Sequence, residues 1–107
     1  MNSSIFQISP EVKLALDEGR GIVALESTII THGMPYPQNR DTALRVEQAV
    51  RASGAIPATI AVLSGKIMVG LDEQQVEELA KTSTAMKLSR ADLAMAVSTK
   101  AVGSTTV

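Results

Sequence analysis

The sequence predicts an α/β fold, in which helices cover the faces of a mostly parallel or mixed sheet in α/β/α layers. Short apolar runs rich in β-branched residues alternate along the chain with amphipathic segments of helical spacing. Aromatic residues make up only 2% of the chain, so the core has to consist of Val, Ile, Leu, Ala and Met, which suits packing in layers. At 107 residues the chain has room for at most one domain.

Ser9 and Pro10 predict the start of the first helix, since serine suits an N-cap and proline the first helical position. The glycines within residues 19–21 would end it. The residues predicted to form its apolar face are Val12, Ala15 and Leu16.

An apolar run at residues 22–30 predicts the first strand. An irregular loop should follow at residues 31–39, because this segment contains a glycine, two prolines and the only histidine. A second helix is predicted at residues 40–53. Its apolar face would be formed by Ala43, Val46 and Val50.

Residues 56–63 predict a second strand, which is rich in β-branched residues and apolar apart from Thr59. A tight turn at residues 64–66 leads to a short strand at residues 67–69, which predicts a hairpin. Asp72 and Gln75 have the spacing of a capping box and predict a third helix. Its inward-facing residues would be Val76, Leu79 and Ala80.

The last third of the chain predicts a short extended piece at residues 86–88 and a fourth helix at residues 90–100. Ser89 and Asp92 again have capping-box spacing at the start of that helix. The final residues, 103–107, are β-prone, and no further element follows them. Because crossovers in such folds normally continue to another strand, we expect the domain to be truncated at its C-terminal end and its sheet to be incomplete.

The charge balance excludes several classes of partner. Ten basic and eleven acidic residues give a net charge of −1, which favours binding to neither nucleic acid nor a membrane surface. The chain contains no cysteine, no secretory signal is apparent, and no apolar run has the length of a membrane helix. We therefore expect a cytoplasmic protein.

Glu26 is the most informative residue, because it places a carboxylate in the middle of the apolar run ahead of His32. Burying an ionised carboxylate is costly unless it is paired or hydrogen-bonded. Glu26 should therefore either pair with a cation or face a cleft, where a carboxyl group can transfer protons. The pattern alone leaves the structural and the catalytic interpretation open.

Five sequence blocks in order carry a resemblance to a known family. They are ALESTIITHGMPYPQN (24–39), GAIPATIA (54–61), MVGL (68–71), KLSRADL (87–93) and GSTTV (103–107). From about Ile8 to the last residue, the chain resembles the N-terminal part of the pseudouridine-5'-phosphate glycosidases, the indigoidine-synthase-A-like family. The resemblance implies reversible cleavage of the C-glycosidic bond of pseudouridine 5'-phosphate to uracil and ribose 5-phosphate.

The resemblance also implies roles for four residues. Glu26 matches the family's proton donor, and a proton has to reach the uracil ring carbon from which the sugar departs. Lys87 matches a substrate-contacting lysine, although one residue is missing relative to the family within residues 82–86. Thr106 and Val107 match a segment that contacts the substrate. In family members the sequence of this segment is usually Gly-Ala-Thr-Thr-Val.

The rest of the family's machinery is implied to lie beyond Val107. This includes the lysine nucleophile that forms an imine with the sugar and the aspartate that binds manganese(II), so no metal ligand is assigned within the chain. The resemblance further implies a homotrimer. On this interpretation residues 1–107 are the N-terminal part of a single α/β glycosidase domain, and they are expected to be inactive alone.

Two other interpretations compete with that of a glycosidase part. The chain could be a non-catalytic truncated module that retains only weak phosphate binding or oligomer contacts. A generic nucleotide-binding α/β domain is disfavoured, because neither a Gly-x-Gly-x-x-Gly nor a P-loop spacing is present. A lone histidine such as His32 is more often a structural hydrogen-bonding residue than a metal ligand.

Overall fold

The computed structural model describes residues 5–106 of the chain. The strands in that range are β1 (Phe6–Ile8), β2 (Ile22–Leu25), β3 (Ile56–Leu63), β4 (Lys66–Val69), β5 (Met86–Leu88) and β6 (Gly103–Thr105). The α-helices are α1 (Pro10–Glu18), α2 (Gln38–Ala52), α3 (Glu73–Lys81) and α4 (Leu93–Ser98). A π-helix covers Ile29–Gly33 and a 3₁₀-helix covers Arg90–Asp92. Across residues 5–106, no helix has the length and hydropathy needed to span a membrane.

The six strands form one mixed sheet, as the sequence predicts. Its strand order is β1-β4-β3-β6-β5, and β2 pairs with β3 outside that path. The β1–β4, β2–β3 and β5–β6 pairs are parallel, whereas β3 is antiparallel to β4 and to β6. β2 pairs with residues 56–59 of β3 and β6 pairs with Ala61 and Val62, so β2 and β6 meet end to end beside β3.

Helices cover both faces of the sheet, which confirms the predicted α/β/α layers. Successive residues of a strand point to opposite faces, so Ala61 and Val62 of β3 enter two different cores. The larger core lies under α2 and α3 and contains Ile30, Ala43, Ala61, Met68, Leu71, Val76, Leu79 and Ala85. The smaller core lies under α4 and contains Val62, Leu88 and Ala96.

The helix starts that depend on capping side chains are confirmed. Ser9 Oγ accepts a hydrogen bond from a first-turn N–H at 3.2 Å. The side chains of Asp72 and Gln75 form the reciprocal capping box of α3. Ser89 and Asp92 form a second box, which begins the 3₁₀-helix that leads into α4. These signals need only residues three apart, which is why the sequence predicts them.

The predicted hairpin between β3 and β4 is also confirmed. Ser64 and Gly65 connect the strands with φ angles of 50° and 80°. Two successive positive φ angles match the right-handed twist of the flanking strands, and glycine adopts such an angle without strain.

The predicted strand at residues 22–30 is wrong in length. β2 ends at Leu25, and the π-helix and the start of α2 occupy most of the predicted loop. Pairing with β3 stops because Ser27 binds β6 instead, its N–H donating to the Thr105 carbonyl at 3.1 Å. Glu26 therefore lies just beyond the strand and not in its middle.

Other differences concern exposure and length. Leu16 was predicted to face inward but is 57% exposed, because α1 turns only Val12 and Ala15 towards the core. Val46, predicted to lie on the apolar face of α2, is 40% exposed. The helix predicted at residues 90–100 is shorter and begins with the 3₁₀-helix, and the sequence patterns did not predict β1.

Candidate active site at the junction of β2 and β6

The ends of β2 and β6 are joined by backbone and hydroxyl hydrogen bonds. The Ser27 N–H donates to Thr105 O at 3.1 Å, and the Thr105 N–H donates to Ser27 Oγ at 2.9 Å. The Ser27 hydroxyl donates to Ile60 O of β3 at 2.6 Å, and the Thr105 hydroxyl donates to the same oxygen at 2.7 Å. Thr28 Oγ1 donates to Thr105 O at 3.0 Å. The chain after β2 is thus fixed beside the end of β6.

We call this network the hydroxyl junction; its members are Ser27, Thr28, Thr31, Ser104 and Thr105. Thr31 Oγ1, from the π-helix, donates to Ser104 Oγ at 2.7 Å. Ser27 and Ser104 are completely buried, and within residues 5–106 no buried side-chain nitrogen or oxygen lacks a hydrogen-bond partner. The hydroxyl groups of the junction therefore hold the backbone in place rather than pointing towards solvent.

Glu26 directly precedes the hydroxyl junction and is exposed. It also borders a small cavity of about 50 Å³ between the sheet and α2. The other residues lining this cavity are Leu25, Ile29, Ile30, Ala43, Val46 and Thr59. Because the neighbouring Ser27 is held by three hydrogen bonds, the backbone that carries Glu26 is fixed relative to β6.

Lys87 lies on β5, next to β6. Its register partner in the parallel pair is Ser104, so the two side chains leave the same face of the sheet. Lys87 is exposed, whereas Ser104 is buried and bonded to Thr31, so the backbone of Lys87 lies next to the junction. The Thr106 N–H donates to Leu88 O at 2.9 Å, which continues the β5–β6 pairing towards the end of the chain.

The last predicted site residue, Val107, lies outside the described residues. The strand that leads to it requires a glycine at its start, because a Cβ on Gly103 would come within 2.5 Å of Leu88 Cδ1 and 2.9 Å of Met86 O. β6 can therefore approach β5 closely only with glycine at this position. The structure thus brings the segments around Glu26, Lys87 and Thr106 together and gives no information about Val107.

Asn39 fixes the π-helix that follows Glu26, a role the sequence patterns did not reveal. Its side chain is almost fully buried, and Nδ2 donates to Ile30 O at 2.7 Å and to Ala80 O at 2.9 Å. One amide therefore links the π-helix to the end of α3. The only signal in the sequence is an asparagine at the junction of a loop and a helix, where such side chains often bind backbone groups.

His32 lies in the π-helix and is exposed, with Nδ1 2.6 Å from Thr31 Oγ1. π-helical turns are rare in proteins, and those that occur often lie at functional sites. The hydrogen bond agrees with the interpretation of His32 as a hydrogen-bonding residue.

Glu47 of α2 is a second carboxylate near the site. Thr59 Oγ1 donates to Glu47 Oε2 at 2.5 Å, and Thr59 also borders the small cavity next to Glu26. Burial raises the pKa of the Glu47 carboxyl above its usual value, and the hydrogen bond from Thr59 opposes that shift. Thr59 is the one hydroxyl residue in the otherwise apolar β3, and this isolated polar position was the available signal for a buried partner.

Glu47 also borders a larger cleft of about 660 Å³ between α1, α2 and the start of α3. Glu11 and Arg51 line the same cleft and form a bidentate ion pair, which lowers the pKa of the Glu11 carboxyl. None of Glu26, Lys87 and Thr106 lines this cleft. This cleft and the candidate active site are therefore different places on the surface.

The described residues do not form a manganese site. Within residues 5–106, no three His, Cys, Asp or Glu side chains come close enough together to hold a metal ion. A divalent cation needs several carboxylate or imidazole ligands, and residues 5–106 do not bring such a group together.

The arrangement offers a carboxyl group, an ammonium group and a rigid backbone within one region of the sheet. Carboxyl groups transfer protons, and an ammonium group binds the oxygens of phosphates and sugars. The combination suits general acid–base chemistry on a small anionic substrate.

Comparison with known proteins gives consistent matches over the whole chain. A sequence model of the family described as "Indigoidine synthase A like protein" matches residues 11–107. The pseudouridine-5'-phosphate glycosidase of Solibacter usitatus is 56% identical over 101 residues, covering 94% of this chain and 34% of the relative. The Staphylococcus aureus enzyme of the same name is 55% identical, with 94% and 33% covered. The chain thus spans about a third of the length of the curated relatives it matches.

Two solved structures share the fold. The prealnumycin C-glycosynthase AlnA in complex with ribulose 5-phosphate superposes with a TM-score of 0.83 at 40% identity, covering 96% of this chain and 33% of that one. An indigoidine synthase A-like protein from Thermotoga maritima superposes with a TM-score of 0.81 at 26% identity, with the same coverage.

Proposed function

Because the chain belongs to the indigoidine synthase A-like family, we propose that it supplies one part of a pseudouridine-5'-phosphate glycosidase active site. The reaction is the reversible cleavage of pseudouridine 5'-phosphate to uracil and ribose 5-phosphate. Support comes from relatives of that name at 56% and 55% identity. A structural neighbour at 40% identity that holds ribulose 5-phosphate supports a sugar phosphate as the ligand class.

The observation that carries the proposal is the hydroxyl junction. Hydrogen bonds between Ser27 and Thr105 fix the position after β2 beside the end of β6, although the two residues are far apart in sequence. Glu26 directly precedes Ser27, and Thr106 directly follows Thr105. A structural glutamate would not need this alignment, whereas a group that acts on a ligand bound along β6 does.

Glu26 is proposed to transfer the proton of the base. In cleavage, the uracil ring carbon that loses its bond to the sugar has to gain a proton, and in the reverse direction it has to lose one. A carboxyl group performs both steps, as acid and then as carboxylate base.

Lys87, Thr106 and Val107 are proposed to bind the sugar phosphate. The Lys87 ammonium lies one strand away from β6 and supplies a charge for phosphate or sugar oxygens. Thr106 continues the extended segment beside β5, because its N–H donates to Leu88 O.

The remaining parts of the reaction are assigned to sequence outside these 107 residues. We propose that the nucleophilic lysine, the manganese-binding aspartate and the homotrimer contacts lie there, as the resemblance implies. The alternative, a non-catalytic module with weak phosphate binding or oligomer contacts, differs in one testable respect, because only the active-site proposal requires Glu26 to act in the chemical step.

A chimera tests the proposal directly. The 107 residues replace the matching third of the Solibacter usitatus enzyme, and uracil release from pseudouridine 5'-phosphate is measured by chromatography. We expect turnover comparable with that of the unaltered relative. A chimera with a native circular dichroism spectrum and sugar phosphate binding, but no uracil release, would support the non-catalytic alternative.

A further inference from the structure

A chain of side-chain hydrogen bonds connects β5 and β6 to the exposed imidazole of His32. Ser104 Oγ, which is completely buried, donates to Met86 O at 3.4 Å. Thr31 Oγ1 lies 2.7 Å from Ser104 Oγ and 2.6 Å from His32 Nδ1. The hydroxyl of Thr31 is thus shared between a buried serine and the only histidine of the chain.

The distances along this series of hydrogen bonds favour one tautomer of the imidazole. A carbonyl oxygen can only accept, so the single proton of the Ser104 hydroxyl points to Met86 O and Ser104 Oγ accepts from Thr31. Thr31 Oγ1 also lies 3.4 Å from Thr28 O, but its contact with Ser104 Oγ is shorter, so we assign the Thr31 proton to Ser104, and the Thr31 oxygen then accepts from His32. Nδ1 of His32 therefore carries the proton, and Nε2 is the unprotonated nitrogen.

We propose that Ser104 is a positioning residue that holds His32, through Thr31, in the Nδ1–H tautomer, so that Nε2 accepts a hydrogen bond from a ligand hydroxyl. Lys87 is the register partner of the same Ser104. The buried serine therefore has a cationic residue, Lys87, on the neighbouring strand and is linked through Thr31 to a hydrogen-bond acceptor, His32 Nε2. A phosphorylated sugar matches both, since it has an anionic group and hydroxyl donors. The identity of the ligand rests on the proposed function, whereas the tautomer does not.

The tautomer can be read by nitrogen NMR of the ¹⁵N-labelled 107-residue chain. Because His32 is the only histidine, its two ring nitrogens give an unambiguous pair of signals. We expect Nδ1 to be the protonated nitrogen. A wild-type spectrum with the proton on Nε2 overturns the proposal, whatever the activity of any longer protein.

Two pairs of variants test the path through the hydroxyl groups. Ser104→Ala removes the acceptor of the Thr31 proton, which can then turn to Nδ1, so the tautomer should switch to Nε2–H. Ser98→Ala removes an exposed hydroxyl on α4 and should leave the tautomer unchanged. An unaltered tautomer in folded Ser104→Ala overturns the role of Ser104.

The second pair replaces Thr31, in case the buried serine is needed for folding. Thr31→Ser keeps the hydroxyl and should keep the tautomer, whereas Thr31→Val removes it and should leave a mixture of both forms. Equal spectra for the two variants overturn the relay.

Addition of ribose 5-phosphate tests the ligand contact, with inorganic phosphate as the control. We expect the sugar phosphate to shift the Nε2 signal of His32 and the signals of Lys87, and inorganic phosphate to shift only those of Lys87. A response at Lys87 without one at Nε2 overturns the ligand contact and leaves the proposed function intact. No response at either residue counts against both the ligand contact and the proposed function. The result on the tautomer is independent of this experiment.

Discussion

Ser27 and Thr105 exchange two hydrogen bonds across the end of the sheet, one from the Ser27 N–H and one to the Ser27 hydroxyl. The serine hydroxyl takes the place of a backbone carbonyl, so β2 can stop pairing with β3 without leaving the Thr105 N–H unsatisfied. This relationship sets where the chain leaves the sheet and hence where Glu26 lies. The completely buried Ser27 hydroxyl thus contacts both β3 and β6.

Ser27→Ala should therefore destabilise the protein markedly. The substitution leaves the partly buried Thr105 N–H without its acceptor, and leaving a buried polar group unsatisfied costs about 1–3 kcal/mol. Urea unfolding followed by circular dichroism should show a lower midpoint with an unchanged slope. The matched control is Ser98→Ala, which removes an exposed hydroxyl. Equal midpoints for the two variants would show that the junction contributes nothing to stability.

Glu26→Gln should impair the chemical step in the chimera described above. The amide keeps the size and the hydrogen-bonding groups of the side chain but cannot transfer the proton, and loss of a general acid lowers rates by roughly a hundred- to ten-thousand-fold. The loss should appear in kcat, with KM largely retained. Glu18→Gln, on an exposed position of α1, serves as the control. Turnover of the Glu26 variant close to that of the control would return Glu26 to the structural interpretation.

The contrast between helix caps and β2 shows what the sequence can predict. The boxes at Asp72 and Ser89 and the turn at Gly65 depend on residues a few positions apart, so local patterns suffice. The end of β2 depends on Ser27 meeting Thr105, and a single sequence contains no signal for that contact. The apolar run in the sequence continues past Leu25, so it predicts a strand that extends through Glu26, whereas β2 ends at Leu25 in the structure.

The candidate site shows the same division. The segments that carry Glu26, Lys87 and Thr106 are brought to one region, but the residues that hold them there were not predicted from the sequence. Asn39 and Thr31 act through backbone and hydroxyl contacts with elements distant in the chain. Such partners become identifiable only after the topology is known, because polar residues with these roles look like ordinary loop residues.

Lys87→Ala in the chimera should weaken productive substrate binding. Loss of a hydrogen bond to a charged group costs roughly 1.5–3 kcal/mol, which corresponds to at least a tenfold decrease in kcat/KM. Lys13→Ala is the appropriate control, because Lys13 is exposed on α1, whereas Lys81 lies 5.3 Å from the Tyr36 ring centroid and its removal could disturb the fold. Identical kinetic constants for Lys87→Ala and Lys13→Ala would mean that Lys87 is only a surface charge.

A polypeptide of these 107 residues alone should not cleave pseudouridine 5'-phosphate. Covalent catalysis requires its nucleophile, and the resemblance assigns the imine-forming lysine to sequence beyond Val107. Uracil release is measured with protein whose intact mass has been verified, and the chimera is the positive control. Turnover by the polypeptide alone would contradict both the assigned nucleophile and the division of the site.

Glu47→Gln should stabilise the protein at neutral pH and change its pH dependence. Burial raises the pKa of the Glu47 carboxyl in the folded state, so the folded protein binds this proton more tightly than the unfolded chain does. The wild-type contribution of Glu47 therefore becomes less favourable as pH rises through the range between its unfolded and folded pKa. The glutamine side chain still accepts the hydrogen bond from Thr59 and carries no charge to desolvate.

The measurement is urea unfolding of wild type and Glu47→Gln from mildly acidic to neutral pH. The free energy of unfolding of the variant should exceed that of wild type by more at neutral than at acidic pH. The Glu11–Arg51 pair has the opposite sign, because its lowered Glu11 pKa gives stability that is lost as pH falls, so Glu11→Gln should lose stability mainly at neutral pH. If Glu47→Gln instead loses stability at neutral pH, the ionised carboxylate contributes more through Thr59 than burial costs it.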